Sequence, residues 1–383
     1  MIFSFKTKAK RKEPLLKIES SVSSNKKKFA LVIYIPWAIK AWQENNYKEK
    51  NFNSHSMHWE SIEMVKILTS FGYNVDVANS TGPILQIEWT KYQLVIDERN
   101  NLKDAPKVFD QIQIHYATGC QWLFHNAAEY FRLLDFKSRT GISTEPVRQV
   151  SPIYSEEIAG ITTYFGGEFQ RDLFTHPDKT IPLSLSSSYI PEFKEKELSS
   201  SRKNILWLGS RGFIHKGLDI VLEAFKDVNN YNLHICTKLA AEPQFYNWYK
   251  TKFSNCSNIF YHGWMDVNEL QFKHLAENCI ASIYCSAAEG GAGAIVQAMQ
   301  FGCIPIVNDS TALRGQHTGF FLNGQSPKEL INSIRQVLKN MGDMTAQELA
   351  EKSATVRSYA NLNHSRTAYS NSFKQLIIDT TIG

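Results

Sequence analysis

Strand-length apolar runs alternate with segments of helical periodicity along most of this chain. Residues 29–35 form a continuous apolar run that Pro36 ends, and apolar side chains then recur at helical spacing over residues 56–71. Unbroken apolar strands are typical of sheets covered on both faces, and their alternation with helices is typical of parallel sheets. The sequence therefore predicts an α/β fold built on doubly wound parallel sheets.

The same alternation predicts where the other elements lie. Further strands are expected at residues 73–78, 92–97, 113–117, 204–208, 232–237, 258–262, 280–285, 304–307 and 319–322. Helices are expected at residues 121–139, 217–228, 240–253 and 267–277, with two or three more between residue 327 and about residue 378.

A serine-rich segment divides the chain into two halves. The chain has 383 residues, which is too long for one ordinary core and fits two domains of roughly 150–200 residues each. Residues 184–203 hold seven serines together with Pro191 and alternating charges, a composition that indicates a linker. We expect an N-terminal domain over residues 29–183 and a C-terminal domain over residues 204–360.

The composition favours a cytoplasmic protein. Hydrophobic residues make up 43% of the chain and charged residues 21%, as in water-soluble globular proteins. The longest apolar run, residues 29–39, is about half as long as a membrane-spanning helix, and the first residues lack the apolar part of a signal peptide. The six cysteines form no CxxC pair, which favours reduced thiols over a metal site.

Residues 1–28 form a strongly basic leader. They hold nine Lys or Arg against two Glu, so the remainder of the chain carries about −2 of the net charge of +5. Such a segment is expected to be disordered in solvent. Contact with anionic lipid or with nucleic acid is the alternative, although nothing else in the chain favours nucleic acid.

One glycine-rich stretch, residues 286–307, has the features of a binding site. It reads SAAEGGAGAIVQAMQFGCIPIV, and Glu289 precedes Gly290, Gly291 and Gly293 where a predicted strand gives way to a helix. Glycines permit close approach of a ligand, and the start of a helix favours phosphate. A carboxylate repels phosphate, so we interpret Glu289 either as an acceptor for sugar hydroxyls or as a helix cap.

A second glycine-rich loop, LGSRGFIHKG at residues 208–217, also follows a predicted strand and precedes a helix. Arg211 and Lys216 would oppose the dipole of that helix, so they are poorly placed for stability alone. They are well placed to neutralise a diphosphate, although a solvated loop with incidental charge is the alternative. Both loops are expected at one edge of the same sheet, where ligands of such folds bind.

Together with one further segment, these two stretches resemble a known family. The matching residues are Arg211, Lys216, Gly217, YHGW at 261–264, SAAEG at 286–290, QAM at 297–299, Gly302 and Pro305. The pattern covers roughly residues 204–322 and is similar to the nucleotide-binding domain of GT-B glycosyltransferases of family 4, the retaining group 1 enzymes. The resemblance implies two Rossmann-like domains that face each other across a cleft. It also implies that residues 361–383 form a helix crossing back to the N-terminal domain.

The resemblance implies roles for the matching positions. Arg211 and Lys216 would hold the donor pyrophosphate, and Glu289 would contact the transferred sugar. Gln297 would meet the ribose hydroxyls, but the family has an acid at this position, so ribose recognition is expected to be altered. Further donor contacts would come from Gly209, Gly263, Trp264, Gly290, Gly291, Ala292, Gly293 and Ala294. The family needs no metal or other cofactor, and these loops contain no DxD-like pair.

In the N-terminal half, residues 114–132 are similar to a surface-polysaccharide subgroup of these enzymes. His115 is a candidate for a catalytic role, since it precedes the expected junction of a strand and a helix. Candidates for contact with the acceptor are Thr118, Asn126 and Arg132. His55 and His58, just before a predicted helix, are weaker candidates. A structural role is the alternative for each of these residues.

The expected activity is transfer of a sugar, with retention, from a nucleotide diphosphate of the UDP or GDP type to a glycan or lipid-linked acceptor. Two alternatives stay open at this stage. One is another GT-B enzyme, such as a sugar-nucleotide epimerase or a phosphorylase. The other is a binding module without activity, which the glutamine at position 297 brings into consideration. The leader is a candidate for contact with the inner face of a membrane.

Overall fold

The computed structural model of the protein consists of two α/β domains joined by a segment that packs against both. It describes residues 15–22, 27–46, 48, 53–81, 87–192, 195–313 and 319–381. Each domain contains one predominantly parallel sheet flanked by helices, so the predicted α/β fold class is confirmed.

The N-terminal sheet has seven strands. They are β1 (Leu16–Ile18), β2 (Lys28–Tyr34), β3 (Tyr73–Asn79), β4 (Leu94–Asp97), β5 (Ile112–Tyr116), β6 (Ile161–Tyr164) and β7 (Thr180–Pro182). Their order across the sheet is β1-β3-β2-β4-β5-β6-β7, and all pairs are parallel except β1 with β3. The helices up to the end of the linker are α1 (Pro36–Gln43), α2 (Ser56–Ser70), α3 (Trp122–Thr140), α4 (Ser155–Ile158), α5 (Glu168–Arg171) and α6 (Leu198–Ser201).

Strand β2 explains why the apolar run of residues 29–35 is unbroken. Ala30, Val32 and Tyr34 pack into the cluster formed with α1, α2 and the last helix of the chain. Leu31 and Ile33 point to the opposite face and pack into a second cluster. Because successive side chains of a strand alternate between faces, a strand covered on both sides must be apolar at every position.

The leader differs in part from the expectation of disorder. Residues Leu16–Ile18 form β1, which pairs antiparallel with β3 at the edge of the sheet. The side chains of Leu16 and Ile18 pack against the N-terminal core, and this apolar contact is what a purely charge-based prediction misses. Residues 1–14 and 23–26 lie outside the described residues.

The C-terminal sheet has six parallel strands. They are β8 (Asn204–Leu208), β9 (Asn232–Cys236), β10 (Ile259–Gly263), β11 (Ala281–Tyr284), β12 (Ile304–Val307) and β13 (Phe320–Phe321). Their order is β10-β9-β8-β11-β12-β13, so β8 and β11 are neighbours at the centre. The helices are α7 (Leu218–Phe225), α8 (Pro243–Lys252), α9 (Leu270–Glu277), α10 (Gly293–Met299), α11 (Pro327–Asp343), α12 (Ala346–Asn363) and α13 (Arg366–Thr381).

Helix α3 belongs to the N-terminal half of the sequence but packs on the C-terminal domain. Phe136 is fully buried in the C-terminal core, with its ring centroid 5.0 Å from that of Trp248. One turn further on, Arg139 forms ion pairs with Asp219 and Glu223 of α7, and its Nη2 lies 2.5 Å from Asp219 Oδ2. Helix α3 therefore fixes the two domains relative to each other through both apolar burial and charge.

Helix α13 follows the C-terminal domain in the sequence but packs on the N-terminal domain. Tyr369, Phe373, Leu376 and Ile377 are buried in the N-terminal core. The hydroxyl of Tyr369 lies 3.1 Å from that of Tyr116, at the end of β5. Each domain thus completes its core with a helix contributed by the other half of the chain.

The serine-rich segment is also held in place. Ser186 and Ser187 are buried, Ser186 Oγ donates to Glu60 Oε1 at 2.9 Å, and the amide of Ser187 donates to the carbonyl of His364 at 2.9 Å. Residues 184–203 therefore pack against both domains over part of their length, and they end in the short helix α6.

Candidate functional site

Two loops meet at the carboxyl edge of the C-terminal sheet. Residues 209–217 connect β8 to α7, and residues 285–292 connect β11 to α10. Because β8 and β11 are adjacent, the loops touch: the amide of Ala287 donates to His215 O at 2.7 Å, and His215 Nε2 donates to Ala288 O at 2.8 Å. The two motifs that the sequence singles out therefore form one site.

Lys216 and Glu289 face each other in this site. Lys216 Nζ lies 4.0 Å from Glu289 Oε1, and the two side chains are only 10% and 12% exposed. Ser286 Oγ donates to the same carboxylate oxygen at 3.1 Å. Lys216 also lies over the ring of Tyr284, with Nζ 5.7 Å from the centroid. A cation and a carboxylate are thus held together at the carboxyl edge of the sheet, with little solvent around them.

The charges of this pair depend on each other. Burial lowers the pKa of Lys216, an effect that Glu289 opposes and Arg148 reinforces. Burial acts to raise the pKa of Glu289, but Lys216, Arg148 and His215 together hold it below its ordinary value. Glu289 is therefore ionised at neutral pH and offers an anionic acceptor beside a cation.

His215 is a structural member of the site. Its ring is buried against that of His125, with centroids 4.6 Å apart, and burial is the main cause that lowers its pKa to about 3. The imidazole is therefore neutral at pH 7, and its Nε2–H holds the 285–292 loop through Ala288.

At two positions of the site, another part of the chain comes so close that only glycine fits. Gly217 has φ +73°, and a Cβ there would lie 2.4 Å from the carbonyl oxygen of Cys285. A Cβ on Gly290 would lie 2.5 Å from Cα of Gly119, which follows β5 in the N-terminal domain. The second contact shows that the N-terminal domain closes directly onto the Glu289 loop.

Arg211 is placed differently from Lys216. Its side chain is exposed, and it forms no salt bridge with another residue of the described ranges. Its charge acts on the half-buried Glu242, whose Oε1 accepts a hydrogen bond from the amide of Gly212 at 2.5 Å. Arg211 thus flanks the loop on the solvent side.

Arg148 is a member of the site that the sequence did not reveal. It comes from an irregular segment of the N-terminal half, and its side chain crosses to the C-terminal domain. A Cβ on Gly212 would lie 2.5 Å from Cγ of Arg148. Its charge contributes to lowering the pKa of both Lys216 and Glu289. No periodicity or glycine pattern surrounds Arg148, so only its basic character was available as a signal.

Gln297 does not face the site. Its side-chain Oε1 accepts from the amide of Tyr189 at 2.9 Å, and its Nε2 donates to the carbonyl of Tyr189 at 2.8 Å. The side chain is buried, with 2% exposure. Both polar atoms therefore serve the packing of the linker.

The other expected donor contacts lie at the same sheet edge. Gly263 ends β10 with φ +79°, and Trp264 follows it with 64% of its surface exposed. A Cβ on Gly293 would meet no atom within 4 Å, so this first residue of α10 faces open space together with the half-buried Ala294. Gly209, in contrast, packs on the ring of Trp207.

The N-terminal candidates mainly make structural contacts. His115 is buried, its Nδ1 donates to the carbonyl of Asp97 at 3.1 Å, and burial lowers its pKa to about 4. Thr118 Oγ1 donates to Glu98 Oε1 at 3.0 Å. Arg132 Nη2 donates to the carbonyl of Cys285 at 2.9 Å, which ties α3 to the end of β11.

Asn126 and the two earlier histidines also have local partners. Asn126 bonds the amide and the carbonyl of Val150, at 3.0 and 2.9 Å. His55 caps α2 by accepting from the amide of Met57, and the ring of His58 lies edge-on to Trp37 with centroids 4.4 Å apart. Among the N-terminal candidates, Thr118 is the one next to the contact between Gly119 and Gly290.

The fold is similar to those of several solved structures. Sucrose-phosphate synthase (tll1590) from Thermosynechococcus elongatus matches with a TM-score of 0.58 at 11% identity, over 92% of this chain and 98% of that one. Anabaena Alr3699/HepE in complex with UDP and glucose matches with a TM-score of 0.55 at 10% identity, over 94% and 100%. WaaG, a glycosyltransferase involved in lipopolysaccharide biosynthesis, matches with a TM-score of 0.52 at 12% identity, over 93% and 100%. The chain therefore has the GT-B fold.

The sequence comparison points to a particular family for one part of the chain. Residues 190–356 match the model of the family described as Glycosyl transferases group 1. This range contains both site loops and most of the C-terminal domain. No curated protein matches the chain in sequence.

Two features are absent from the part of the chain that the structure describes. No group of three or more His, Cys, Asp and Glu side chains in them is arranged to hold a metal ion. No helix in the same part of the chain is long and apolar enough to cross a membrane.

Proposed function

We propose that this protein is a retaining glycosyltransferase that transfers a sugar from a nucleotide diphosphate to a hydroxyl of a glycan or lipid-linked acceptor. The observation that carries this proposal is the buried pair of Lys216 and Glu289, which two adjacent loops present at the carboxyl edge of the C-terminal sheet. The group 1 family match over these loops and the GT-B fold support the class of reaction.

The chemistry requires that charge growing on the leaving diphosphate be stabilised. Lys216 provides a cation that is already fixed and largely shielded from water, and preorganised charge of this kind is worth most in the transition state. Side-chain cations in this role make a bound divalent metal unnecessary, and we propose a metal-independent reaction on that basis.

Glu289 has a different task. Its ionised carboxylate is unsuited to contact with phosphate but well suited to accept hydrogen bonds from sugar hydroxyls. We propose that Glu289 orients the transferred sugar while Lys216 faces the diphosphate. Because Lys216 Nζ and Glu289 Oε1 lie 4.0 Å apart, the sugar and its phosphate leaving group would be bound at neighbouring points.

The acceptor would enter from the N-terminal side. Gly119 lies against Gly290, so the β5–α3 turn and Thr118 border the Glu289 loop. His115 lies beneath this edge, buried, with its Nδ1–H donated to the carbonyl of Asp97, and its pKa of about 4 makes it a weak base, so we propose no general-base role for it. In the retaining mechanism proposed here, the leaving phosphate takes the proton of the acceptor hydroxyl, and no dedicated base is needed.

Gln297 bears on the alternative of a binding module without activity. The absence of an acid at this position favoured that alternative in the sequence. In the fold, Gln297 bonds the backbone of Tyr189, so its identity is explained by packing. We therefore propose that the reaction needs no ribose contact from this residue.

A thermal-shift panel tests the donor class. UDP, GDP and their sugars are added to the full chain, with UMP and GMP as controls. A ligand that binds only the folded state raises the melting temperature by mass action, so one diphosphate series should do so at concentrations where its monophosphate does not. If no nucleotide diphosphate and no sugar nucleotide shifts the melting temperature, the proposal is wrong.

A further inference from the structure

The segment 147–150 of the N-terminal half is held by three side chains of one helix. Glu129 Oε1 accepts from the amides of Val147 and Arg148, at 2.9 and 2.8 Å, and Glu129 Oε2 accepts from Gln149 Nε2 at 2.8 Å. Asn126 bonds both backbone atoms of Val150, and His125 Nε2 donates to the carbonyl of Arg148 at 2.7 Å. The backbone of Arg148 is thereby fixed to α3.

Helix α3 is in turn fixed to the C-terminal domain. Phe136 is buried in the C-terminal core, Arg132 bonds the carbonyl of Cys285, and Arg139 pairs with Asp219. The position of Arg148 is therefore set relative to the C-terminal site and not only within its own domain.

The side chain of Arg148 reaches the site over Gly212. A Cβ at position 212 would lie 2.5 Å from Cγ and 2.6 Å from Cδ of Arg148, and Gly212 has φ +90°. The side chain of Arg148 fits at this place only because residue 212 is glycine. Arg148 Nε is buried and has no hydrogen-bond partner among the described residues.

Two cations act on one carboxylate at this point. Arg148 and Lys216 both lower the pKa of Glu289, and a second carboxylate, Glu242, acts on Lys216. Each cation opposes the charge of the other, as the effect of Arg148 on Lys216 shows. An anion of two or more charges that binds beside both cations would relieve the repulsion between them.

We propose that Arg148 binds the diphosphate of the donor, so that the phosphate site of this protein is built by both domains: Lys216 from the C-terminal domain and Arg148 from the N-terminal domain. The inference rests on the proposed function, and it adds a residue outside the family pattern. Asn126, Glu129 and His125 are then positioning residues, because they hold the backbone that presents the guanidinium. The exposed Arg211 contributes from the solvent side.

The test compares diphosphate with monophosphate binding by calorimetry. The protein is the full chain, and the probes are UMP, UDP, GMP, GDP and inorganic pyrophosphate. The variants are Arg148→Gln, Arg148→Lys, Lys216→Met and the exposed control Arg171→Gln. Arg148→Gln should weaken binding of the preferred nucleoside diphosphate by about 10- to 100-fold, because it removes a charge-assisted hydrogen bond. The corresponding monophosphate should lose much less, so the ratio of the two dissociation constants should shrink.

Arg148→Lys distinguishes a loss of diphosphate binding from a folding defect. Lysine keeps the positive charge but lacks the paired N–H donors of the guanidinium group. Arg148→Lys should therefore bind the diphosphate more tightly than Arg148→Gln does, at an unchanged melting temperature. If both Arg148 variants bind the diphosphate within twofold of the wild type while Lys216→Met loses it, this inference is overturned and the proposed function stands. If the wild-type protein prefers neither diphosphate over its monophosphate, both are overturned. Binding of pyrophosphate alone at equal strength, without help from the nucleoside, would identify a free-phosphate site and would also contradict the inference.

Discussion

Gln297 pairs its side-chain amide with both backbone polar atoms of Tyr189, at 2.9 and 2.8 Å. An amide is the side-chain group that matches a peptide unit, since it offers one acceptor and one donor side by side. A carboxylate has no donor and cannot satisfy the carbonyl of Tyr189. The residue that departs from the family pattern is thus explained by the way the linker packs on α10.

This pairing predicts the outcome of Gln297→Glu. The substitution buries an acid and leaves the carbonyl of Tyr189 without its donor, so we expect the free energy of unfolding to fall by about 1–3 kcal/mol. Donor affinity should not improve. Urea unfolding and nucleotide titration measure both quantities, with the exposed Gln336→Glu as the control. A tighter complex with the nucleotide in Gln297→Glu would show that position 297 does meet the ribose.

The ion pairs of Arg139 predict a large cost for separating α3 from the C-terminal domain. Asp219 is 1% exposed on its side chain, and removing Arg139 leaves its charge buried without a full partner. We expect Arg139→Ala to lower the free energy of unfolding by about 2–4 kcal/mol. The matched control is Arg171→Ala, because Arg171 pairs with Asp172 at the surface and such pairs contribute little. Equal losses in the two variants, measured by denaturant unfolding, would argue against the bridging role of α3.

Glu60 predicts a pH dependence of stability. Burial is the main cause that raises its pKa to about 7, although Ser186 donates to it and Arg366 lies near enough to oppose the shift. The folded state therefore binds a proton more tightly than the unfolded chain, and the free energy of unfolding falls as pH rises from about 4.5 to about 7. The loss from this group amounts to about 3 kcal/mol.

The measurement is the difference between the wild type and Glu60→Gln. Buried histidines such as His115 and His215 have lowered pKa values, so they act in the opposite direction and reduce stability as pH falls below about 6.5. Subtracting the dependence of unfolding free energy on pH in Glu60→Gln from that of the wild type isolates the contribution of the Glu60 carboxyl group. Glu63→Gln on the same helix is the control. Parallel curves for wild type and Glu60→Gln between pH 4.5 and 7 would refute the prediction.

The sequence predicted the centre of the site because its signals are local. Strands β8 and β11 are apolar runs of strand length, and each is followed by glycines and a helical pattern. Parallel strands bring such loops to one edge, so the meeting of Lys216 with Glu289 followed from periodicity and topology. The family resemblance then supplied the roles to be tested.

The rest of the site depends on contacts that no local pattern encodes. Phe136 and Phe131 lie on the same predicted helix, yet Phe136 is buried in the other domain and Phe131 is 72% exposed. Arg148 lies in an irregular segment whose path is set by Asn126 and Glu129. Periodicity also missed β1, which has only three residues and lies within a basic segment.

The pair of Lys216 and Glu289 is the centre of the proposed mechanism, and donor turnover in three variants tests it most directly. Lys216→Met, Glu289→Gln and Arg211→Ala are compared with the wild type and with the exposed control Lys40→Met, and melting temperatures are recorded for each. We expect kcat to fall by about a hundredfold or more in Lys216→Met and Glu289→Gln, because each loses a preorganised group. Arg211→Ala should lose less, since that side chain is exposed. Full turnover of the sugar nucleotide in all three folded variants would contradict the proposal that this pair carries the reaction.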